Sequence, residues 1–178
     1  DDILTWSEKY LEPKNKHLGN VPVCPYARIA RLKKTYRILE CKKFKDFLDT
    51  VLQATKLAKD PDIQIVIVGC SDIGYEPEEL ESVIHAYNLI FVPQDIYLMC
   101  SHPFDGEEEE PVEFLDTDDW EPDNEFMMVL VQKYDELEKA SDNLRKTGYY
   151  DKWPSDYYEG TVLKRKSYRS YRDGKKIS

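Results

Sequence analysis

Three short stretches of the chain are apolar at nearly every position: Tyr36–Cys41, residues 63–68 (Ile-Gln-Ile-Val-Ile-Val) and residues 95–100 (Asp-Ile-Tyr-Leu-Met-Cys). Runs of this length, rich in β-branched and aromatic side chains, predict strands buried on both faces. Between them the apolar spacing changes to that of a helix. Phe44, Leu48, Val51, Leu52 and Thr55 share one face of a helix predicted over 44–59, which Asp60-Pro61-Asp62 stops. Pro25 suits the first turn of a short helix over 25–34. Pro77 opens another, with Leu80, Val83, Ile84, Tyr87 and Phe91 on one side. A longer helix is predicted over 124–146, turning Phe126, Leu130, Tyr134, Leu137 and Leu144 inward and ending at Gly148.

Strands separated by helices of this length call for right-handed βαβ crossovers and parallel pairing. The expected fold is therefore α/β: a small, mainly parallel sheet with flanking helices and a long C-terminal helix. Residues 63–68 should lie at its centre, between Tyr36–Cys41 and 95–100. Residues 1–148 read as one α/β domain with an acidic insert at 105–125, and 149–178 as a Tyr-rich basic C-terminal tail. An additional strand is expected from 19–23 or from the tail.

Charge refines this picture. The 178 residues carry a net charge of -10, yet 12% are aromatic, too many for a disordered chain. The insert holds twelve acidic residues and no Lys or Arg, and such a run is expected to stay solvated. The tail is the reverse, with Lys164, Arg165, Lys166, Arg169, Arg172, Lys175 and Lys176 around Tyr168 and Tyr171. Basic and aromatic residues so interleaved suit single-stranded nucleic acid. The negative overall field favours folding back onto the acidic insert instead, and no tight binding to duplex DNA is expected. No apolar run approaches the roughly 20 residues of a membrane helix. The four cysteines, Cys24, Cys41, Cys70 and Cys100, are widely spaced without a CxxC pair, so a soluble cytoplasmic protein with reduced thiols is expected. The abundance of Lys, Asp, Glu, Tyr and Ile suits an A/T-rich genome, bacterial or viral.

Candidate chemistry centres on Val23-Cys24-Pro25-Tyr26-Ala27-Arg28. A cysteine at a helix start faces orphan backbone N–H groups and the positive end of the helix dipole, which favours the thiolate. Arg28, one turn on, adds a fixed charge. The tetrapeptide is similar to the Cys-Pro-Tyr-Cys of glutaredoxins, but Ala27 replaces the second cysteine, so dithiol exchange through that pair is impossible. His102 follows the third predicted strand, where sites gather in parallel α/β sheets, and Asp105 stands three residues on. Val68-Gly69-Cys70-Ser71-Asp72 reads as a turn lining the same crevice, without phosphate-loop spacing. Trp6, the Cys-Pro-Tyr-Ala-Arg motif and Ser101-His102-Pro103 resemble an uncharacterised bacterial family. Its members carry a Leu-Cys-Pro-Phe-Ala-Arg-type motif and, later, a Ser-Phe-His-Pro-Asp-type motif. Here Ser101 adjoins His102 directly and Phe104 stands where Asp is usual. The resemblance implies a site at Cys24, Arg28 and His102, but no particular reaction.

Two functions follow as expectations. In one, Cys24 and His102 share a pocket with Arg28 on its rim. They act there as nucleophile and base, hold a zinc or iron ion together with a carboxylate such as Asp105 or Asp72, or bind a small-molecule ligand. In the other, the chain is a noncatalytic module that binds a protein partner through its acidic insert and basic tail.

Overall fold

The computed structural model describes residues 2–22, 24–104 and 126–176. Helix α1 (Asp2–Trp6) runs into a π-helical turn, Ser7–Leu11, followed by a two-stranded ribbon of β1 (Lys14–Asn15) and β2 (Val21–Pro22). Next come α2 (Ala27–Lys33), β3 (Tyr36–Cys41), α3 (Phe47–Leu57), β4 (Ile65–Cys70), α4 (Pro77–Phe91), β5 (Ile96–Ser101), β6 (Met127–Lys133) and α5 (Tyr134–Lys146). Helix α6 (Ser155–Tyr158) continues through a second π-helical turn, Glu159–Leu163, into α7 (Lys164–Lys176). Among the described residues no helix is long and apolar enough to cross a membrane. Asp105 and the rest of the acidic insert lie outside the described residues.

The fold is α/β, and its main sheet has the order β3-β4-β6-β5. Strands β3 and β4 pair in parallel through α3, as a βαβ unit requires. The other two pairings are antiparallel, Val68 lying opposite Val129 and Leu98 opposite Val131. The sheet is therefore mixed and mostly antiparallel, not mainly parallel. The three expected strands do run in one direction, and β4 is central. Its second neighbour is β6 rather than β5, which lies at the edge. The expected helix over 124–146 begins only at Tyr134. Met127-Met128-Val129-Leu130-Val131 is buried at all five positions. A strand between two helical layers buries such a run on both faces, while a surface helix would expose part of it. The additional strand expected from 19–23 is β2, whose Val21 and Pro22 pair with Asn15 and Lys14 in the separate ribbon.

Side chains alternate across the strands and so build two different layers. Val66, Val68, Cys70, Ile96, Leu98, Met127, Val129 and Val131 face Phe47, Val51 and Ala54 of α3 and Leu80 and Ile84 of α4. Helix α4 starts where Pro77 and a reciprocal Glu76–Glu79 capping box satisfy its first turn. On the other face, Ile67 and Met128 pack with Ile3 of α1. Gly69 admits this contact, because a Cβ there would stand 2.7 Å from Ile3 Cδ1. Tyr97 of β5 meets Tyr134 and Tyr168, both ring centroids 5.9 Å away.

The basic C-terminal segment is helical and packed, with Val162 and Tyr168 buried. Its cations meet carboxylates of α5: Arg165 Nε lies 2.6 Å from Glu138, Arg172 Nη1 2.5 Å from Asp135 and Lys166 Nζ 3.6 Å from Asp142. Among the described residues the segment folds back on acidic groups of α5 and, through Lys164 and Glu81 at 3.1 Å, of α4; the acidic insert lies outside the described residues.

Helix α5 ends as its glycine predicts. Gly148 sits at φ +77°, its N–H donating to Arg145 O and that of Tyr149 to Leu144 O, the paired bonds of a Schellman motif. This turn fixes where Tyr149 leaves the helix. Replacing Gly148 by Ala should cost about 1–2 kcal/mol, the penalty of a left-handed L-residue, measured by urea denaturation. An unchanged midpoint would show that the turn relaxes.

Candidate functional site

Between the second face of the sheet and the helices that cover it lies a cavity of about 350 Å³. Its floor is sheet residues Ile65, Ile67, Met99 and Leu130, and one wall is Leu137, Ala140 and Leu144 of α5. Tyr149, Tyr150, Trp153 and Tyr157 form an aromatic side, and the start of α2, with Cys24 and Tyr26, closes another. The aromatic side is closely packed: the Tyr150 and Trp153 centroids lie 4.9 Å apart and those of Trp153 and Tyr157 5.0 Å apart. Tyr149 Oη donates to Pro22 O, which ties this wall to the β1–β2 ribbon. Both π-helical turns reach the cavity, one through Ser7 and Leu11 and the other through Thr161 and Val162. π-Helical turns recur at functional sites because the extra residue re-aims side chains.

Cys24 enters this cavity from the loop before α2. Its N–H donates to Leu11 O at 3.1 Å, and the backbone N–H groups of Tyr26 and Ala27 donate toward its sulfur. Burial nevertheless pushes the thiol up, and the nearby Glu12 carboxylate adds to this, against the lowering by the two N–H groups. The helix-start argument correctly places the N–H donors, but desolvation outweighs them. The thiol is therefore held above its ordinary range, which disfavours the thiolate expected at a helix start.

The other expected site residues lie elsewhere. Arg28 is exposed and does not line the cavity. Arg31, one turn further along α2, does: it grips Glu12 through Nε at 2.8 Å and Nη2 at 2.9 Å and reaches Glu8 at 3.1 Å. That hydrogen-bonded pairing holds the Glu12 carboxyl below its usual range, against burial. His102 is buried beneath the opposite face of the sheet. Its Nε2 donates to Tyr75 O at 2.7 Å while Nδ1 accepts from the Phe104 N–H at 3.1 Å, a tautomer assigned from these two bonds. Tyr75 packs edge-on to Phe44 and Phe47 in the layer of α3, so the sheet stands between His102 and Cys24. Asp72 accepts from the Phe44 N–H and shapes the turn after β4. Among the described residues, no three His, Cys, Asp or Glu side chains gather where they could hold a metal ion; Asp105 is not among those residues.

Two residues absent from the sequence reading of the site matter most. Trp153 and Arg165 both line the cavity. Arg165 is buried, its Nε 2.6 Å from Glu138 Oε1, and Glu138 Oε2 accepts from Arg169 Nη2 at 2.8 Å. Tyr134 Oη donates to the Arg165 carbonyl at 2.7 Å and pins this part of α7 to α5. The basic run signalled Arg165 as a surface cation; only the packing of α7 on α5 turns it inward.

Comparison of the chain with family models, with curated proteins and with solved structures gives no match.

Proposed function

We propose that this chain is a small-molecule-binding protein whose site is the Cys24 cavity, with an apolar or aromatic ligand held between the sheet and the Tyr149–Trp153 wall. The observation that carries this reading is the cavity itself. Its volume of about 350 Å³ and mainly apolar lining, broken by a few polar groups, fit a preformed ligand site. Closely packed aromatic walls and two π-helical turns around the same space support it further. A nucleophile–base pair of Cys24 and His102 is not supported, because the two side chains approach opposite faces of the sheet. Docking of a partner on the basic segment is not favoured either, since Arg165, Arg169 and Arg172 are engaged by α5; the same pairing argues against tight duplex DNA binding. The free thiols of Cys24, Cys41 and Cys70 suit a reducing, cytoplasmic setting.

Indole and n-octanol are suitable neutral probes. Either should raise Tm in a dose-dependent way, as any ligand of the native state must. Each should also slow N-ethylmaleimide modification of Cys24 while leaving that of Cys100 unchanged. If saturating amounts of both neither raise Tm nor protect Cys24, the reading is wrong.

A further inference from the structure

Two residues that line the cavity carry buried donors that the protein does not satisfy. Among the described residues no group accepts a hydrogen bond from Arg165 Nη2 or Trp153 Nε1, although both atoms are shielded from solvent. Buried polar groups are paired in most native proteins, and an orphaned one costs about 1–3 kcal/mol. Arg165 is only 8% exposed. Its Nε is held by Glu138, while Nη2 is buried without a partner. Both orphans are donors, and both belong to residues that line the same cavity. Of the cationic lining residues, Arg31 is engaged by Glu12 and Glu8 and Arg165 by Glu138 through Nε. Lys133 Nζ donates to the carbonyls of Asp60 and Ile63, at 2.6 and 2.8 Å, and to no carboxylate.

We infer that the ligand is a carboxylic acid with an apolar body, its carboxylate accepting from Arg165 Nη2 and Trp153 Nε1 and its hydrocarbon or aromatic part lying over Ile65, Ile67 and Leu130. The inference rests on the cavity being a ligand site and adds the chemistry of the head group. A guanidinium edge and an indole N–H are donors only, so they select acceptors and reject ammonium groups. Charge-assisted bonds to a guanidinium are about twice as strong as neutral ones, and the surrounding apolar walls strengthen them. Glu138 keeps the guanidinium in place, since its bond to Nε fixes the plane in which Nη2 points. Glu138 and Tyr134 are thus positioning residues, and Arg165 and Trp153 are the binding ones.

The test compares octanoate with n-octanol on the full chain, by titration with ¹⁵N-resolved NMR of the tryptophan indole N–H groups. The Trp153 resonance is identified by its loss in Trp153→Phe. Octanoate should bind at least tenfold more tightly than octanol and shift the Trp153 indole N–H, which octanol should move far less. Arg165→Lys keeps a cation for Glu138 but removes the Nη2 edge; it should weaken octanoate at least tenfold and leave octanol within twofold. Trp153→Phe, which keeps an aromatic ring, should weaken octanoate several-fold and is the second variant should Arg165→Lys fold poorly. Equal binding of acid and alcohol, or octanoate binding indifferent to both substitutions, overturns the head-group inference and leaves an apolar ligand site standing. Binding of neither probe overturns both.

Discussion

Glu138→Ala should destabilise the protein by about 3–5 kcal/mol, the cost of breaking a buried ion pair from one side. Glu138 is 3% exposed and accepts from two arginines on α7. Without it, Arg165 remains buried with no carboxylate against its Nε, and burial of an unpaired charge is what makes such changes severe. Arg169 is more exposed and can turn to Asp142, 3.6 Å from its Nη2; the loss therefore falls mainly on Arg165. A chain of this size should lose roughly 10 °C in Tm. Replacing both partners, Glu138→Leu with Arg165→Met, should recover much of the loss, because a well-packed apolar pair of similar volume is often no worse than a buried ion pair. Urea denaturation of the single and double variants checks both statements. A loss below about 1 kcal/mol in Glu138→Ala would show that the pair is solvated.

Asn88→Ala should cost about 2–4 kcal/mol, because it strips a sheet edge of its only described side-chain cover. Asn88 is buried on α4, its Nδ2 donating to Leu98 O at 2.9 Å and its Oδ1 accepting from Leu98 N–H at 2.8 Å. One amide thus stands in for a neighbouring strand at the centre of β5, the edge of the main sheet. Each strand group left unsatisfied there costs about 1–3 kcal/mol. Hydrogen exchange supplies the local readout: the Leu98 amide should lose protection relative to the amides of β4. Asn88→Asp keeps the acceptor for Leu98 N–H but aims a carboxylate oxygen at Leu98 O, so it should fall nearer to Ala than to Asn. An exposed β-edge is also a template for pairing with other chains, and the Ala variant should aggregate more readily at high concentration.

Much of this architecture is legible from local pattern. β3, β4, β5, the start of α4 at Pro77 and the end of α5 at Gly148 follow from apolar runs, a proline at a first turn and a glycine at a left-handed position. What local pattern misread is β6. Phe126, Leu130 and Tyr134 fit a helical period, yet 127–131 is an unbroken apolar run of the kind that marks the other strands. The helical spacing continued into a real helix and concealed the strand before it. That error carried into the pairing, since parallel connectivity followed only while no fourth strand was counted. It carried into the site as well. The strand-end argument brought His102 and Cys24 together, whereas side-chain alternation along β5 sends His102 to the α3 face and the loop before α2 delivers Cys24 to the other. Arg165 and Trp153 were invisible for a different reason. A cation or indole at the surface and one turned inward look alike in sequence, and the distinction arises from packing: α7 on α5 for Arg165, and Tyr149, Tyr150 and Tyr157 around the Trp153 ring.

The place of β6 also sets an order of events in folding. It lies between β4 and β5 in the sheet but follows both in the chain, so as the chain leaves the ribosome β5 emerges with no strand beside it. β3, α3 and β4 form a local unit that can close early. Docking of β6 is a late, non-local step whose loop-closure entropy is met before any of its pairing is gained, and pairing of this kind slows folding. Until then β4 and β5 each present an open edge, the form in which partly folded chains associate. The segments that follow β6 are synthesised after it, and they carry the arginine and indole whose residues line the cavity.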